Sequence, residues 1–336
     1  MDHSSGAYAP PAKRARTDDD ETPAPMTRSD IWHSDGNLVL QVGTTQFRVH
    51  WGVLSTHSSV FKDMQSIPQP DTAEPLVEGC PLVELYDDPL DVENVLRLLY
   101  DPTVFLQSQH EFAFVAALIR MGRKYDFQNL WNAGLGILEA AIPTTLAQYD
   151  ALRDVNYRVK GIVKYPALFI DILSLLRENN IMTLLPCAYY LVIYIYSVKQ
   201  LFDGVARGDG TTAILAPEIL RQCIVSKEKI IGTQSLTGYA LYWTVTLPTN
   251  QSSNTSGCAN VAICTKNRLL QVSRHAKMLV LLPPAANDEN PGMLHGLCPY
   301  CRDLAAMLIK VGRQNGWENL PNFFDLARWD ELKNEG

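Results

Sequence analysis

The sequence is short of charged residues and has no strong excess of either sign. Only 19% of its 336 residues are charged, and 36 acidic against 29 basic side chains leave a formal net charge of −7. A nucleic-acid-binding surface spread over the whole chain would need a basic excess, so that class of protein is disfavoured, although a local basic patch is compatible with these numbers.

Hydrophobic residues make up 46% of the chain, which is typical of a globular protein with a substantial core. The length suits two domains of ordinary size.

The sequence also lacks the long apolar runs that secretion and membrane insertion require. Residues 1–10 contain no apolar segment of the kind found in a secretory signal. The most apolar stretch, residues 181–198, is long enough to span a membrane, but it is interrupted by Pro186 and contains four tyrosines. A buried helix is the better interpretation. We therefore expect a soluble intracellular protein, located in the nucleus, the cytoplasm or both.

No arrangement of residues typical of a catalytic site stands out. Gly208-Asp209-Gly210 predicts a turn, but it lacks the lysine of a phosphate-binding loop. Asp87-Asp88 is explained by the capping of a helix that begins with Pro89. The sequence therefore predicts a protein without enzymatic activity.

The number of cysteines is odd, which argues against a disulfide framework. There are seven, and thiols stay reduced inside cells, so we interpret them as free thiols or metal ligands. Cys298 and Cys301 have the spacing with which two thiolates bind one metal from a turn that opens a helix. Cys258 and Cys264 could complete a tetrahedral structural zinc site, although their gap of five residues exceeds the usual spacing of about two to four.

Other interpretations of this cysteine cluster stay open. The four residues could be ordinary thiols, and His275 and His295 are further candidate ligands if a metal binds. The run Cys298-Pro299-Tyr300-Cys301 also matches the redox dithiol of glutaredoxin-like proteins, which would make the chain a thiol redox protein. That function needs a strand directly upstream and most of the redox fold downstream, whereas only 35 residues follow Cys301.

The amino-terminal residues 1–28 have little to bury and predict a disordered leader. Within it, Lys13, Arg14 and Arg16 precede the acidic residues 18–21. A basic cluster on a flexible tail can bind an import receptor and direct a protein to the nucleus. The alternative is a solvated run of charges without a receptor.

Apolar patterning after Asp30 predicts strands followed by helices. Alternation over residues 38–49, with a turn at Gly43, predicts a β-hairpin that leads into a helical segment through Lys62. A third strand is predicted near residues 82–85.

Three helices are predicted to follow the third strand. The first has Asp88 as its N-cap and ends at Asp101-Pro102. The second, at about residues 110–125, is apolar on nearly every face and should lie in the middle of the structure. The third covers residues 127–142. Further helices are predicted over residues 146–232, with apolar stripes that indicate core packing.

This order of elements resembles the BTB/POZ fold over about 113 residues. The residues that carry the resemblance are Phe47-Arg48-Val49-His50, Leu54, Ser58-Ser59-Val60-Phe61, Val95-Leu96-Arg97-Leu98-Leu99-Tyr100-Asp101, Arg123-Lys124-Tyr125-Asp126 and Leu130. The resemblance implies an α+β protein with a BTB/POZ domain at residues 29–145, made of a short mixed sheet with helical hairpins. A mainly helical carboxy-terminal domain with the cysteine cluster would cover residues 146–336.

The chain is also similar to a large group of BTB/POZ proteins from mushroom-forming fungi. The runs that carry this similarity are Trp32-His33-Ser34-Asp35-Gly36-Asn37, Ser66-Ile67-Pro68-Gln69-Pro70, Trp317-Glu318-Asn319-Leu320-Pro321 and Trp329-Asp330-Glu331-Leu332-Lys333. Repressor-type members of the family carry a charged pocket whose two positions correspond to Asn37 and Trp51 here. Both residues are uncharged, which argues against the capture of a co-repressor through that pocket.

The resemblance implies a protein that works by binding other proteins. Family members pair through their first helix and amino-terminal segment, which implicates Ile31, Trp32 and Val53 in a homodimer interface. An adaptor for a cullin-type ubiquitin ligase is one function that the resemblance permits. A nuclear regulatory or scaffold protein without direct DNA binding is the alternative. We expect protein partners, no direct contact with nucleic acid or membrane, and no cofactor except a possible structural zinc.

Overall fold

A computed structural model of the protein describes residues 25–67, 76–246, 257–284 and 292–334. The basic cluster Lys13, Arg14 and Arg16 lies outside the described residues.

The amino-terminal part is built on a mixed sheet of five strands. They are β1 (Thr27–Trp32), β2 (Leu38–Val42), β3 (Thr45–Val49), β4 (Leu76–Val77) and β5 (Cys80–Leu85), in the order β1-β3-β2-β5-β4. The predicted hairpin is confirmed, since β2 and β3 pair antiparallel across a turn in which Gly43 has a φ of 56°. β5 pairs parallel with β2, and β1 pairs parallel with β3. Thr27 and Arg28, which the sequence placed in the leader, belong to β1.

Five helices complete this part of the chain. They are α1 (Trp51–His57), α2 (Ser59–Ser66), α3 (Pro89–Tyr100), α4 (Phe112–Lys124) and α5 (Gln128–Ala141), with a 3-10 helix at Pro102–Leu106 and the short strand β6 (Gln109–His110) between α3 and α4. The cap of α3 is as predicted, because the Asp88 side chain accepts a hydrogen bond from the Leu90 N–H and Pro89 occupies the first turn.

The helical segment predicted to run from the hairpin through Lys62 is in fact two helices. Ser58 interrupts it with an extended backbone (φ −131°, ψ 123°). Its hydroxyl accepts from the Phe61 N–H at 3.1 Å and donates to the Tyr125 carbonyl at 2.5 Å. Ser58 is therefore the N-cap of α2 and also joins this helix to the end of α4.

The rest of the chain is mainly helical. Its elements are α6 (Leu146–Asp154), β7 (Gly161–Ile162), α7 (Leu168–Glu178), α8 (Leu185–Ile195), α9 (Val198–Asp203), β8 (Val205–Ala206), β9 (Thr212–Ala213), α10 (Pro217–Thr233), α11 (Trp243–Thr246), α12 (Val261–His275), α13 (Pro299–Glu318) and α14 (Leu320–Phe323). Pro186 lies in the first turn of α8, where its missing N–H costs no hydrogen bond, and α8 is almost entirely buried. Within the described residues, no helix has both the length and the apolar character needed to cross a membrane. The α+β fold with a helical carboxy-terminal part is confirmed.

The α4–α5 hairpin lies in the middle of the protein. Phe114 and Leu118 of α4 pack into the core around the sheet, whereas Val115 and Ile119 belong to the core of the carboxy-terminal helices. This explains why α4 is apolar on nearly every face. The two helices pack so closely that a Cβ atom on Gly122 would lie 2.8 Å from the backbone nitrogen of Trp131.

The carboxy-terminal residues fold back onto the helical core. The Trp329 indole stacks on that of Trp317 at 5.3 Å and donates a hydrogen bond to the Trp317 carbonyl at 2.9 Å. Asn334 Oδ1 accepts from the backbone N–H and the hydroxyl of Thr183 at 3.0 and 2.9 Å. The segment from Trp317 to Asn334 is therefore part of the folded structure.

Candidate functional site

His50 lies between β3 and α1, in a small polar cluster of the amino-terminal part. Its Nδ1 is 2.9 Å from the Tyr100 hydroxyl, and its Nε2 is 3.3 Å from a carboxylate oxygen of Asp35. The His50 backbone N–H donates to the same hydroxyl at 2.9 Å, and His33 stacks on the Tyr100 ring at 4.2 Å. Burial raises the pKa of Tyr100, so its hydroxyl stays neutral. His50 therefore connects β3 to the end of α3 and has partners at both ring nitrogens.

Asn37 and Trp51, which correspond to the charged pocket of repressor-type BTB/POZ domains, lie next to each other. The backbone N–H of Trp51 donates a hydrogen bond to Asn37 Oδ1 at 2.9 Å. The two positions are thus adjacent, but they are joined by a neutral hydrogen bond instead of a charge pair.

The three residues predicted for a dimer interface differ in their exposure. Ile31 is only 9% exposed and packs in the core around the sheet. Trp32 and Val53 are partly exposed, and the guanidinium of Arg28 lies 4.5 Å above the Trp32 ring. Trp32 and Val53 can contribute side-chain surface to a partner, whereas Ile31 packs β1 against the core around the sheet.

The amino-terminal part exposes large apolar side chains that the sequence did not single out. Tyr86 is 84% exposed and Leu90 50% exposed where α3 begins, and Leu106 is 83% exposed in the 3-10 helix beyond its end. Tyr86 follows a strand and Leu106 is the last residue of a short helix, so the apolar periodicity of the sequence does not distinguish them from core residues. Exposed aromatic and aliphatic side chains of this size are typical of protein-binding surfaces when they form a patch.

A cleft of about 610 Å³ is lined by residues of α3 and α4 on one side and by residues of the carboxy-terminal part on the other. Its charges are largely paired within the protein. Arg207 forms two hydrogen bonds to the buried Asp171 carboxylate, at 2.7 and 2.8 Å, and the Tyr165 hydroxyl donates a third at 2.7 Å. On the opposite wall, Arg120 pairs with Asp91, whose pKa burial raises. Because these charged side chains pair with each other, we interpret their role in the cleft as structural.

The four clustered cysteines come together in the structure. Their Sγ atoms all lie within 4.8 Å of one another, and the distance from Cys298 Sγ to Cys258 Sγ is 3.8 Å. Cys264 and Cys301 are buried, whereas Cys258 and Cys298 are partly exposed. His275 and His295 are not members of the group. The sequence spacing therefore identified four residues that the fold does bring to one point.

Three of the four cysteines are positioned by the start of a helix. Cys264 lies in the first turn of α12, Cys298 is the residue before α13, and Cys301 lies in the first turn of α13. Burial acts to raise the pKa of the Cys298 thiol, but hydrogen bonds from the backbone of Cys301 and Ala259 and from neighbouring thiols outweigh it and lower this pKa to about 6. Burial raises the pKa of both Cys264 and Cys301. The site thus favours the thiolate form at Cys298 and the neutral thiol at Cys264 and Cys301.

The cysteines form part of a small core of their own. Cys264 and Cys301 pack with Trp243, Leu294, Ala305 and Ile309, apart from the two larger cores. This core also joins α12 to α11, because the buried Arg268 of α12 donates a hydrogen bond to the Thr244 carbonyl of α11 at 2.8 Å.

The amino-terminal part has a known family. Residues 33–140 match the family model of the BTB/POZ domain, so this part of the chain is a BTB/POZ domain. Domains of this family generally mediate protein–protein interactions, often dimerise and are generally not enzymes. No curated protein matches the chain.

Proposed function

We propose that this protein dimerises through its BTB/POZ domain and uses the same domain to hold a second protein. The family of residues 33–140 carries this proposal, because interaction with proteins is the general role of the domain. The partly exposed Trp32 and Val53 supply apolar surface for self-association.

The more specific form of this proposal is an adaptor that brings a client protein to a cullin-type ubiquitin ligase. An adaptor needs a partner surface separate from its dimer interface. Tyr86, Leu90 and Leu106 supply exposed apolar side chains at the two ends of α3, on segments other than β1 and α1. The carboxy-terminal helices would then carry the surface for the client.

Affinity purification of the tagged full-length chain, with identification of the bound proteins, tests the adaptor function. We expect a cullin among them, and we expect the double variant Tyr86→Asp/Leu106→Asp to recover it at least about tenfold less, since a charge would be buried at the contact. Val155→Asp is the matched control, because Val155 is 55% exposed but lies in the carboxy-terminal part. Absence of any cullin from the wild-type purification would contradict the adaptor proposal.

The alternative is a nuclear regulatory or scaffold protein. It is favoured by Lys13, Arg14 and Arg16, whose basic cluster suits an import receptor. The same purification distinguishes the two functions, because a scaffold would recover nuclear proteins without a cullin. Nuclear localisation through these three residues stays a prediction.

A further inference from the structure

We propose that Cys258, Cys264, Cys298 and Cys301 bind one zinc ion in a closed structural site. This site is independent of the function proposed for the BTB/POZ domain. It lies in the carboxy-terminal part and requires no dimer and no protein partner.

The distances between the sulfur atoms fit a single tetrahedral ion. Four thiolates at the Zn–S bond length of about 2.3 Å place their sulfur atoms about 3.8 Å apart. Cys298 Sγ and Cys258 Sγ are 3.8 Å apart, and all four Sγ atoms lie within 4.8 Å of one another. All four cysteines are free, so no disulfide bond accounts for the cluster. A small rearrangement of the side chains would bring every sulfur to one ion.

Backbone N–H groups point at the sulfur atoms. The Cys298 N–H donates to Cys264 Sγ at 3.3 Å, and the N–H groups of Cys301 and Ala259 donate to Cys298 Sγ. Such hydrogen bonds favour the thiolate, which is the form that binds metal, and they orient the ligands. The Cys301 N–H is available for this because it lies in the first turn of α13, where N–H groups have no helical partner.

The four cysteine ligands indicate both which metal binds and what it does. Thiolates are soft ligands, and a tetrahedral set of four is typical of zinc or iron. Zinc suits a site that performs no electron transfer, and four protein ligands leave no open position for a substrate or a reactive water. The site is therefore expected to stabilise the fold.

The surrounding core explains why a metal is needed here. Among the described residues it has six buried members, of which Cys264 and Cys301 are two, and they come from α11, α12, α13 and the turn at Leu294. A core of this size supplies little hydrophobic stabilisation, and a metal is a common substitute. An ion held by Cys258, Cys264, Cys298 and Cys301 would join the start of α12 to the start of α13.

Close backbone contacts shape both halves of the site. A Cβ atom on Gly257, beside Cys258, would lie 2.5 Å from the Tyr300 ring. Gly296 has a φ of 79° and accepts a hydrogen bond from Asn267 Nδ2 at 2.6 Å. The two cysteine pairs are thus held against each other by contacts besides the sulfur atoms.

Elemental analysis of the purified full-length protein tests the proposal. We expect about one zinc per chain, and less than about one fifth of that in Cys264→Ser and Cys301→Ser. Cys80→Ser is the matched control, because Cys80 is buried in the sheet far from the cluster in sequence, and it should keep the full amount of zinc. Zinc well below one per chain in the wild type, or iron in its place, would overturn the assignment.

A second measurement covers variants that fail to fold. Wild-type protein titrated with a mercurial reagent should release one zinc as four thiols react. Removal of zinc by a chelator should make α12 and the start of α13 sensitive to protease while the BTB/POZ domain stays resistant and the oligomeric state is unchanged. A metal-free protein with a disulfide between Cys298 and Cys301 would overturn the zinc site and favour the thiol redox interpretation.

Discussion

At the residue scale, features that depend on neighbouring residues can be predicted from the sequence, whereas contacts between residues far apart in the sequence cannot. The cap at Asp88 and the spacing of Cys298 and Cys301 were readable because each depends on a few neighbouring residues. The partners of His50 were not, since Asp35 and Tyr100 are brought to it only by the fold. The burial of Ile31 could not be foreseen either, because it depends on how β1 pairs with β3.

A buried histidine should make the stability of the protein depend on pH. His110 is 6% exposed and stacks on Phe114 at 4.9 Å, and burial lowers its pKa below the ordinary value of 6.5. The unfolded chain therefore binds a proton more readily than the folded protein. The stability that neutral His110 contributes is present above its unfolded pKa and is lost as the pH falls through its lower folded pKa.

We expect His110→Gln to reduce this acid sensitivity. Urea unfolding at about pH 7.5 and about pH 5.5 should show a smaller loss of stability for the variant than for the wild type, since glutamine does not titrate. His57 is exposed, so His57→Gln should behave like the wild type. Equal losses in His110→Gln and wild type would show that another group causes the effect.

At the scale of elements, helices and strands were predictable but their ends and interruptions were less so. The hydrophobic spacing of Val53, His57, Val60 and Met64 continues through Ser58, so periodicity alone indicated one helix. The break arises because the Ser58 hydroxyl is engaged by Phe61 and by Tyr125, which is distant in sequence.

The α4–α5 hairpin should tolerate alanine at one glycine and not at the other. A Cβ atom on Gly122 would lie 2.8 Å from the Trp131 nitrogen, whereas one on Gly136 would meet nothing within 4 Å. We expect Gly122→Ala to reduce the free energy of unfolding by about 1–3 kcal/mol through overpacking. Gly136→Ala should increase it by up to about 1 kcal/mol, because alanine favours the helix.

Urea unfolding of the two variants measures this difference directly, and each serves as the control for the other. Equal stability of the two would mean that α4 and α5 pack less closely than the structure shows.

At the scale of the whole molecule, the fold class was predictable, whereas the contact between its two parts was not. The sequence placed a boundary near residue 145, where the BTB/POZ resemblance ends. In the structure, α4 and α5 contribute Ile119 and Leu138 to the core of the carboxy-terminal helices, and β6 pairs with β7 across this boundary. Periodicity shows that α4 is buried on all sides but does not identify what covers each side.

The shared core has a consequence for experiments on the BTB/POZ domain. Cutting the chain near residue 145 would expose apolar side chains of α4 and α5 that the carboxy-terminal helices cover. The full chain is therefore the suitable material for measuring the oligomeric state.

Light scattering of the full-length protein at tens of micromolar is the most direct test of self-association through the BTB/POZ domain. We expect a mass of twice the 37.5 kDa chain, and a single-chain mass for Trp32→Asp/Val53→Asp, because charges there would be buried in the interface. Val155→Asp, in the carboxy-terminal part, should leave the dimer intact. A wild-type mass of one chain would contradict the proposed dimer.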